Sequence, residues 1–408
     1  MAKIKAFKGY RPNQDFVSKI ASVPYDVVNT EEARALAEGN PDSFLRVVRS
    51  EIEFDEGQDA YAPEIYQRAK DNLESLIKDG KLIQEDSESV YLYQVQMGEH
   101  IQTGIVALSS VDEYDKDLVK KHEKTRPVKE NDRTRHVVET GAHTGPVFLT
   151  YKAVEEISAL VAAELESAPL YDFTADDGIR HALWKAENPE KLISAFGKVP
   201  CTYVADGHHR AASASRCRKE LQEKNPSHTG QEAYNYFLSV LFPDSELDIL
   251  PYNRIIKTKN GQSTEEILEK ISSQFDITKG GSENPASKGE LSLFIEGSWY
   301  ALSPKDKTLP EDVVERLEVS LLSNKILKPI FNIQDERTDE NIDFVGGIRG
   351  TKHLEDLVNS GKAECAFSVY ATSIAELMEI ADANQIMAPK STWFEPKLRS
   401  GLVIHKFA

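Results

Sequence analysis

The stretch VPCTYVADGHHRAASASRCRKELQEK, from Val199 to Lys224, constrains the fold more than any other. Cys201 to Ala205 reads as a strand, Asp206-Gly207 as a turn, and a helical pattern runs on from about His208. The turn also carries chemistry. Gly207 permits positive φ and close backbone approach, and the opening amides of a helix lack intrahelical partners. Helix starts favour acids, because the macrodipole leaves partial positive charge there. Yet His208, His209 and Arg210 occupy this one. An anion at the corner resolves the conflict: a phosphate accepts the amides, and the three side chains supply charge or hydrogen-bond donors. Asp206 could cap the helix, bind a metal or take a proton. The plain alternative is an Asp-Gly turn whose aspartate only caps. No Cys, His or Asp partner stands at a familiar ligand spacing, so zinc held by these imidazoles is not expected.

Around this corner the chain alternates helices and strands. TEEARALAEG reads as a short helix with Thr30 as N-cap and Gly39 as its stop, and DAYAPEIYQRAKDNLESLIKDG as a longer one ending at Gly80. SVYLYQVQMGEHIQTGIVALSSV switches to period two about MGEH, a hairpin pattern. GPVFLTY reads as a buried strand, followed by a helix near Ala153 to Leu165; AYNYFLSVLFP and ILPYNRIIK read as further strands. From about Ser263 a second α+β pattern begins. STEEILEKISSQF is helical, GELSLFIEGSWYALS a hairpin, EDVVERLEVSLLSNKIL a longer helix, IDFVGG and AECAFSVYA strands, and SIAELMEIADA a helix. KGGSENPASKG is rich in turn formers and reads as a surface loop. The expected division is therefore 1–257 and 258–408.

A length of 408 residues fits two domains. The formal charge of −18 argues against a general binder of nucleic acid or anionic membrane. Three scattered cysteines, Cys201, Cys217 and Cys365, make neither a disulfide framework nor a CxxC metal site. No signal peptide or membrane span is expected, and a cytoplasmic location follows as the expectation.

A basic island interrupts this acidity. KKHEKTRPVKENDRTRH, Lys120 to His136, places seven Lys/Arg against three acids. One reading is a solvated helix face with interleaved charges. Pro127 argues against a long helix there, and a basic loop can instead wrap a polyphosphate, with Arg126 and Arg133 as fork-shaped donors. Glu123, among these cations, is held ionised and is a candidate general base or cation ligand. Elsewhere, SVPYDVV reads as a turn that could bring Tyr25 and Asp26 to a cleft, and NPDSFLRVV as the start of a strand carrying Arg46. DFVGGIRG offers Gly346, Gly347, Arg349 and Gly350 in a glycine-rich turn, a weak phosphate signal. APKSTWFEPKLRSG offers Lys390, Ser391, Thr392, Lys397 and Arg399 as phosphate contacts, or an ordered tail packed by Trp393 and Phe394.

Several stretches together, among them ASVPYDVV, NPDSFLRV, QTGIVALSSVDEY, KKHEKTR, YVADGHHRAASA and PKSTWFEPKLRSGL, resemble a bacterial and archaeal family of uncharacterised proteins, a domain of unknown function. HE followed downstream by DGHHR is also similar to the free serine kinases of the ParB/sulfiredoxin-like superfamily. That resemblance implies an α+β fold with a ParB/sulfiredoxin-like mixed-sheet nucleotide-binding core and an additional C-terminal α+β domain. It implies Glu123 as catalytic base, with Asp206, Gly207, His208, His209 and Arg210 lining the phosphates and His122 beside them. Mg²⁺ would be held by Asp206 and Glu123. The wide spacing between His122 and Asp206 implies an insertion or a different topology around GPVFLTY.

The function expected is transfer of a phosphoryl group from ATP or ADP, with CTP a further candidate nucleotide, to a small hydroxyl-bearing metabolite, free serine first among them. The alternative is a non-catalytic nucleotide-binding regulator. Nucleic acid and membrane are not expected partners; a homodimer is compatible with the sequence.

Overall fold

The computed structural model describes residues 1–308 and 310–408. They form two compact units. The first comprises Met1–Lys121, Thr125–Leu247 and Pro396–Ala408, the second His122–Lys124 and Asp248–Glu395. Both are α+β.

The first unit is built on a mixed nine-stranded sheet. In order across the sheet its strands are Val119–Lys120, Thr202–Asp206, Val147–Tyr151, Tyr236–Pro243, His100–Ser110, Tyr91–Met97, Arg180–Lys185 and Tyr171–Thr174, with Ile4–Lys5 also paired to His100–Ser110. Two junctions are parallel, Thr202–Asp206 with Val119–Lys120 and Val147–Tyr151 with Tyr236–Pro243. The others are antiparallel. Every residue of Val147–Tyr151 is buried, as expected of a central strand covered on both faces. One face carries Val147, Leu149 and Tyr151 with Ile105, Phe237 and Leu241 into a core that also takes Ala211 and Ala214 of the His208–Lys224 helix. The Pro127–Thr140 helix packs against both His208–Lys224 and Pro63–Lys78. The segment Pro396–Ala408 returns to this unit: Ser22 and Ser400 exchange backbone hydrogen bonds of 3.1 and 2.8 Å, and His405–Lys406 pairs with Ala142–His143.

The second unit holds an antiparallel six-stranded sheet in the order Phe275–Lys279, Ser298–Pro304, Leu291–Ile295, Cys365–Val369, Tyr252–Ile256, Ile342–Gly346. Ile255, Phe294, Val345 and Ala366 meet Leu354 of the Gly350–Asn359 helix in its core. Among the described residues no helix is long and apolar enough to cross a membrane.

Four local expectations change. The helix expected over TEEARALAEG is Thr30–Ala37, and its cap is Asn29, not Thr30: Asn29 Oδ1 accepts the Glu32 amide and the Glu32 carboxylate accepts the Asn29 amide, a reciprocal box. Pro127 opens the Pro127–Thr140 helix instead of breaking it, because at the first helical position its missing N–H costs nothing. Most of the basic island is thus helix. Arg46 lies on a short helix, Leu45–Val48, where it donates to the carbonyls of Asn40 and Ala37 and to Glu53. The helix expected over EDVVERLEVSLLSNKIL starts only at Glu318. Before it, Asp312 Oδ1 accepts the amides of Val314 and Glu315 and holds a turn that competes with helix. It then passes through a π-helical stretch, Ser323–Leu327, before Lys328–Phe331.

Candidate functional site

The strand Thr202–Asp206 runs antiparallel to Val147–Tyr151, and its register shifts between Val204 and Asp206. Such a bulge re-aims the residue that follows it. Gly207 then takes φ 95° and ψ 30°, left-handed backbone that a side-chain-bearing residue adopts only at a cost. The His208–Lys224 helix starts at once, with no acid in its first turn. Its opening amides point along the axis, away from the helix body.

Arg210 folds back over this turn. A Cβ on Gly207 would lie 2.9 Å from Arg210 Nε and 3.0 Å from its Cζ, so the guanidinium packs directly on the glycine backbone. Arg210 Nη1 donates to the Pro146 carbonyl, and Nη2 lies 3.5 Å from Asp206 Oδ2. Its Nε is buried and has no hydrogen-bond partner among the described residues. Lys397, carried by the returning C-terminal segment, places Nζ 3.6 Å from the same Asp206 oxygen. Both distances are ion-pair distances rather than tight hydrogen bonds. A Cβ on Gly145 would lie 3.0 Å from Ser400 Oγ and 3.9 Å from Arg210 Nη1, so this neighbouring loop is also drawn in close. The corner therefore gathers two cations, one carboxylate and a helix start.

His209 does something the sequence did not indicate. Its Nε2 accepts the Arg126 amide at 3.0 Å, which places the proton of a neutral ring on Nδ1. Arg126 is the residue before the Pro127–Thr140 helix, so His209 ties the start of one helix to the start of the other. Ser213 strengthens this junction by donating to the His209 and Glu130 carbonyls. His208 is buried, whereas Arg126 is exposed.

Arg133 points to a different place in the same unit. It pairs with Asp132 at 2.9 Å, donates to the Val48 carbonyl and stacks over the Tyr25 ring with Cζ 4.2 Å from the centroid. Burial pushes the Tyr25 hydroxyl pKa up, and the positive charges of Arg133 and Arg210 oppose that shift. Tyr25 therefore lies within electrostatic reach of both arginines. Arg399 is also occupied: its amide donates to the Tyr93 hydroxyl, its Nε to His181 Nε2 at 3.0 Å, and its Nη2 to Asp177.

His122 and Glu123 belong to the second unit. His122 is buried, its carbonyl accepts the Met387 amide at 2.9 Å, and its Nε2 lies 3.5 Å from Thr392 Oγ1. Glu123 lines a cavity of about 400 Å³ with Lys328, Glu336, Arg337 and Met387. Glu336 is itself held at 3.3 Å by Arg254, which is fully buried. In the glycine-rich turn, packing accounts for Gly346 and Gly347, while Gly350 takes positive φ, 70°, with open space around it. A Cβ on Gly346 would run into Trp393 at 2.6 Å, and one on Gly347 into the Pro251 carbonyl at 2.7 Å.

Residues 4–320 match the family described as protein of unknown function DUF1015. The chain belongs to that family. No curated protein matches it. Among solved structures it is similar to a free serine kinase in complex with AMP, at 14% identity over 73% of this chain and 91% of that one, with a TM-score of 0.37. A conserved hypothetical protein from Pyrococcus furiosus is similar at 15% identity over 73% of this chain and 95% of that one, with a TM-score of 0.35. C-terminally truncated SbnI from Staphylococcus aureus is similar at 12% identity over 71% and 82%, with a TM-score of 0.37.

Proposed function

We propose that the Asp206–Arg210 corner binds the phosphates of ATP or ADP and that the protein transfers a phosphoryl group to a small hydroxyl-bearing metabolite, on a ParB/sulfiredoxin-like core. The observation that carries the reading is the left-handed Gly207 with Arg210 folded onto it. A backbone turn with no side chain, a helix start and a guanidinium with an unpaired, buried Nε converge there. The HE and DGHHR motifs support the same reading by their resemblance to free serine kinases, and free serine leads the candidate acceptors. In the transfer, the acceptor oxygen bonds to the terminal phosphorus, the bond from that phosphorus to its bridging oxygen breaks, and the shortened nucleotide leaves. The hydroxyl proton passes to the Glu123 carboxylate, an assignment that rests on the motif. Arg210, Lys397 and the opening amides stabilise charge on the phosphoryl oxygens.

Mg²⁺ fits the donors of the corner. It is commonly held through one or two carboxylates together with substrate phosphates, and Asp206 offers one such carboxylate. When bound it would neutralise phosphate charge. Two variants test the proposal. Arg210→Ala should abolish nucleotide binding and turnover; Glu123→Ala should abolish turnover alone. Turnover surviving in Glu123→Ala removes its role as base. Nucleotide binding without product from any acceptor converts the reading to a regulatory module.

A further inference from the structure

The second unit buries an ion pair beside the cavity that Glu123 lines. Arg254, on the strand Tyr252–Ile256, is fully buried, and its partner Glu336 is 6% exposed. Taking two charges out of water is expensive, and replacing a buried pair with apolar side chains of similar volume is often neutral or stabilising. Stability alone therefore does not account for the pair. The groups that Arg254 reaches do.

Its guanidinium joins three segments. Nε lies 3.3 Å from Glu336 Oε2, Nη1 donates to the Tyr252 carbonyl of its own strand, and Nη2 donates to the Pro389 carbonyl at 3.2 Å. Such a fork fixes the direction of each donor, which a lysine ammonium does not. Glu336 and Pro389 both line the Glu123 cavity, Glu336 with Asp335 and Arg337, Pro389 with Met387 and Ala388. Asp335 Oδ1 accepts the Arg337 amide at 3.0 Å and its Nε at 2.9 Å, so these half-exposed neighbours pair with each other and leave Glu336 to Arg254. On the other wall the Ser391 hydroxyl donates to the Ala388 carbonyl at 2.7 Å and shapes the turn around Pro389. The same loop holds the HE dipeptide. The Met387 amide donates to the His122 carbonyl at 2.9 Å, and Thr392 Oγ1 lies 3.5 Å from His122 Nε2. A continuous series of contacts thus runs from Glu336 through Arg254 and the Pro389 loop to His122, whose chain neighbour is Glu123.

We propose that the buried Arg254–Glu336 pair is a clamp that positions Glu123. It ties the Glu336 turn to the Pro389 loop, the loop holds His122, and His122 sets where the next carboxylate enters the cavity. Arg254 and Glu336 are positioning residues; neither is given a reacting atom. The role of Glu123 as base rests on the function proposed above, whereas the clamp does not.

The test is the double variant Arg254→Met with Glu336→Leu, made in the full chain, which keeps the volume of the pair and removes its charges. Amide hydrogen exchange read by mass spectrometry should accelerate at least about tenfold in peptides covering residues 120–126 and 385–392. The strands Leu291–Ile295 and Cys365–Val369 should exchange at the wild-type rate. Unchanged protection of the loop and the dipeptide overturns the proposal. Exchange that rises equally in the two strands also overturns it, because the pair then supports the whole fold and not the loop. A second readout is phosphoryl transfer from ATP or ADP to L-serine, followed by phosphorus NMR. In the double variant kcat should fall at least about tenfold, with the KM for nucleotide and the calorimetric affinity for ADP unchanged. An unchanged kcat overturns the positioning of Glu123. A loop loosened in the variant, with no turnover in the wild type, leaves the clamp standing and counts against the phosphotransfer reading instead.

Discussion

Replacing Gly207 with alanine separates backbone strain from phosphate recognition at the corner. At φ 95° the alanine adopts left-handed backbone, which costs about 1–2 kcal/mol. Its Cβ also meets Arg210 Nε at 2.9 Å, Cζ at 3.0 Å and Nη2 at 3.1 Å. The guanidinium is the far end of a flexible side chain, so it yields by a few tenths of an ångström rather than breaking the fold. That shift still disturbs the group on which phosphate binding depends. A charge-assisted hydrogen bond contributes about 1.5–3 kcal/mol, so losing one weakens ADP by roughly ten- to a hundredfold. Gly39→Ala is the matched control. Gly39 has φ 69° with nothing within 4 Å of an added Cβ, so it carries strain without a clash. Urea denaturation of both variants should show similar losses of stability, on the order of 1–2 kcal/mol. Calorimetry should show weakened ADP binding only for Gly207→Ala. Equal ADP affinity in wild type and Gly207→Ala would refute the placement of the phosphates at this turn.

Three further outcomes are expected. Lys397→Met should weaken ATP and ADP by about tenfold while changing AMP less, because Lys397 reaches the corner at its Asp206 edge; equal losses for all three nucleotides in a titration series would contradict a phosphate role. Asn29→Ala removes the capping box of the Thr30–Ala37 helix and should cost about 1 kcal/mol by urea denaturation without altering ADP affinity. Stability should also fall in acid through buried histidines. Burial lowers the pKa of His136 and His405 to about 4 and of His143 and His181 to about 3. Their unfolded values lie near 6.5, so between about pH 6.5 and 4 the unfolded chain binds more protons and stability drops as pH falls. A urea midpoint unchanged from pH 6.5 to 4.5 would argue against neutral, buried imidazoles.

How much of this was legible in the sequence depended on how far apart the cooperating residues lie. The strand, glycine and helix of the Thr202–Lys224 segment are contiguous, so their order and the character of the corner could be read directly. The Pro63–Lys78 helix carried its own stop in Gly80, whereas the Thr264–Ser272 helix opens on a capping box of Ser263 and Glu266 that reading for periodicity alone passes over. Pro127 was ambiguous because proline both opens and breaks helices; its position at the first turn decides which, and only the packing against His208–Lys224 fixed that position. Arg46 sits in a run of buried residues too short to distinguish helix from strand. Lys397 was one of five phosphate-contact candidates in APKSTWFEPKLRSG, beside the reading of an ordered tail; its partner Asp206 is nearly half the chain away, and neither Pro146 nor Ser400 carries a chemical signal of its own.

The most direct measurement is a side-by-side calorimetric titration of ADP with Mg²⁺ into the wild-type chain and Arg210→Ala. Saturable binding by the wild type, lost in a variant that still unfolds cooperatively, is the predicted result. Binding of equal strength in both, or none in the wild type, contradicts a phosphate site at the Gly207 turn.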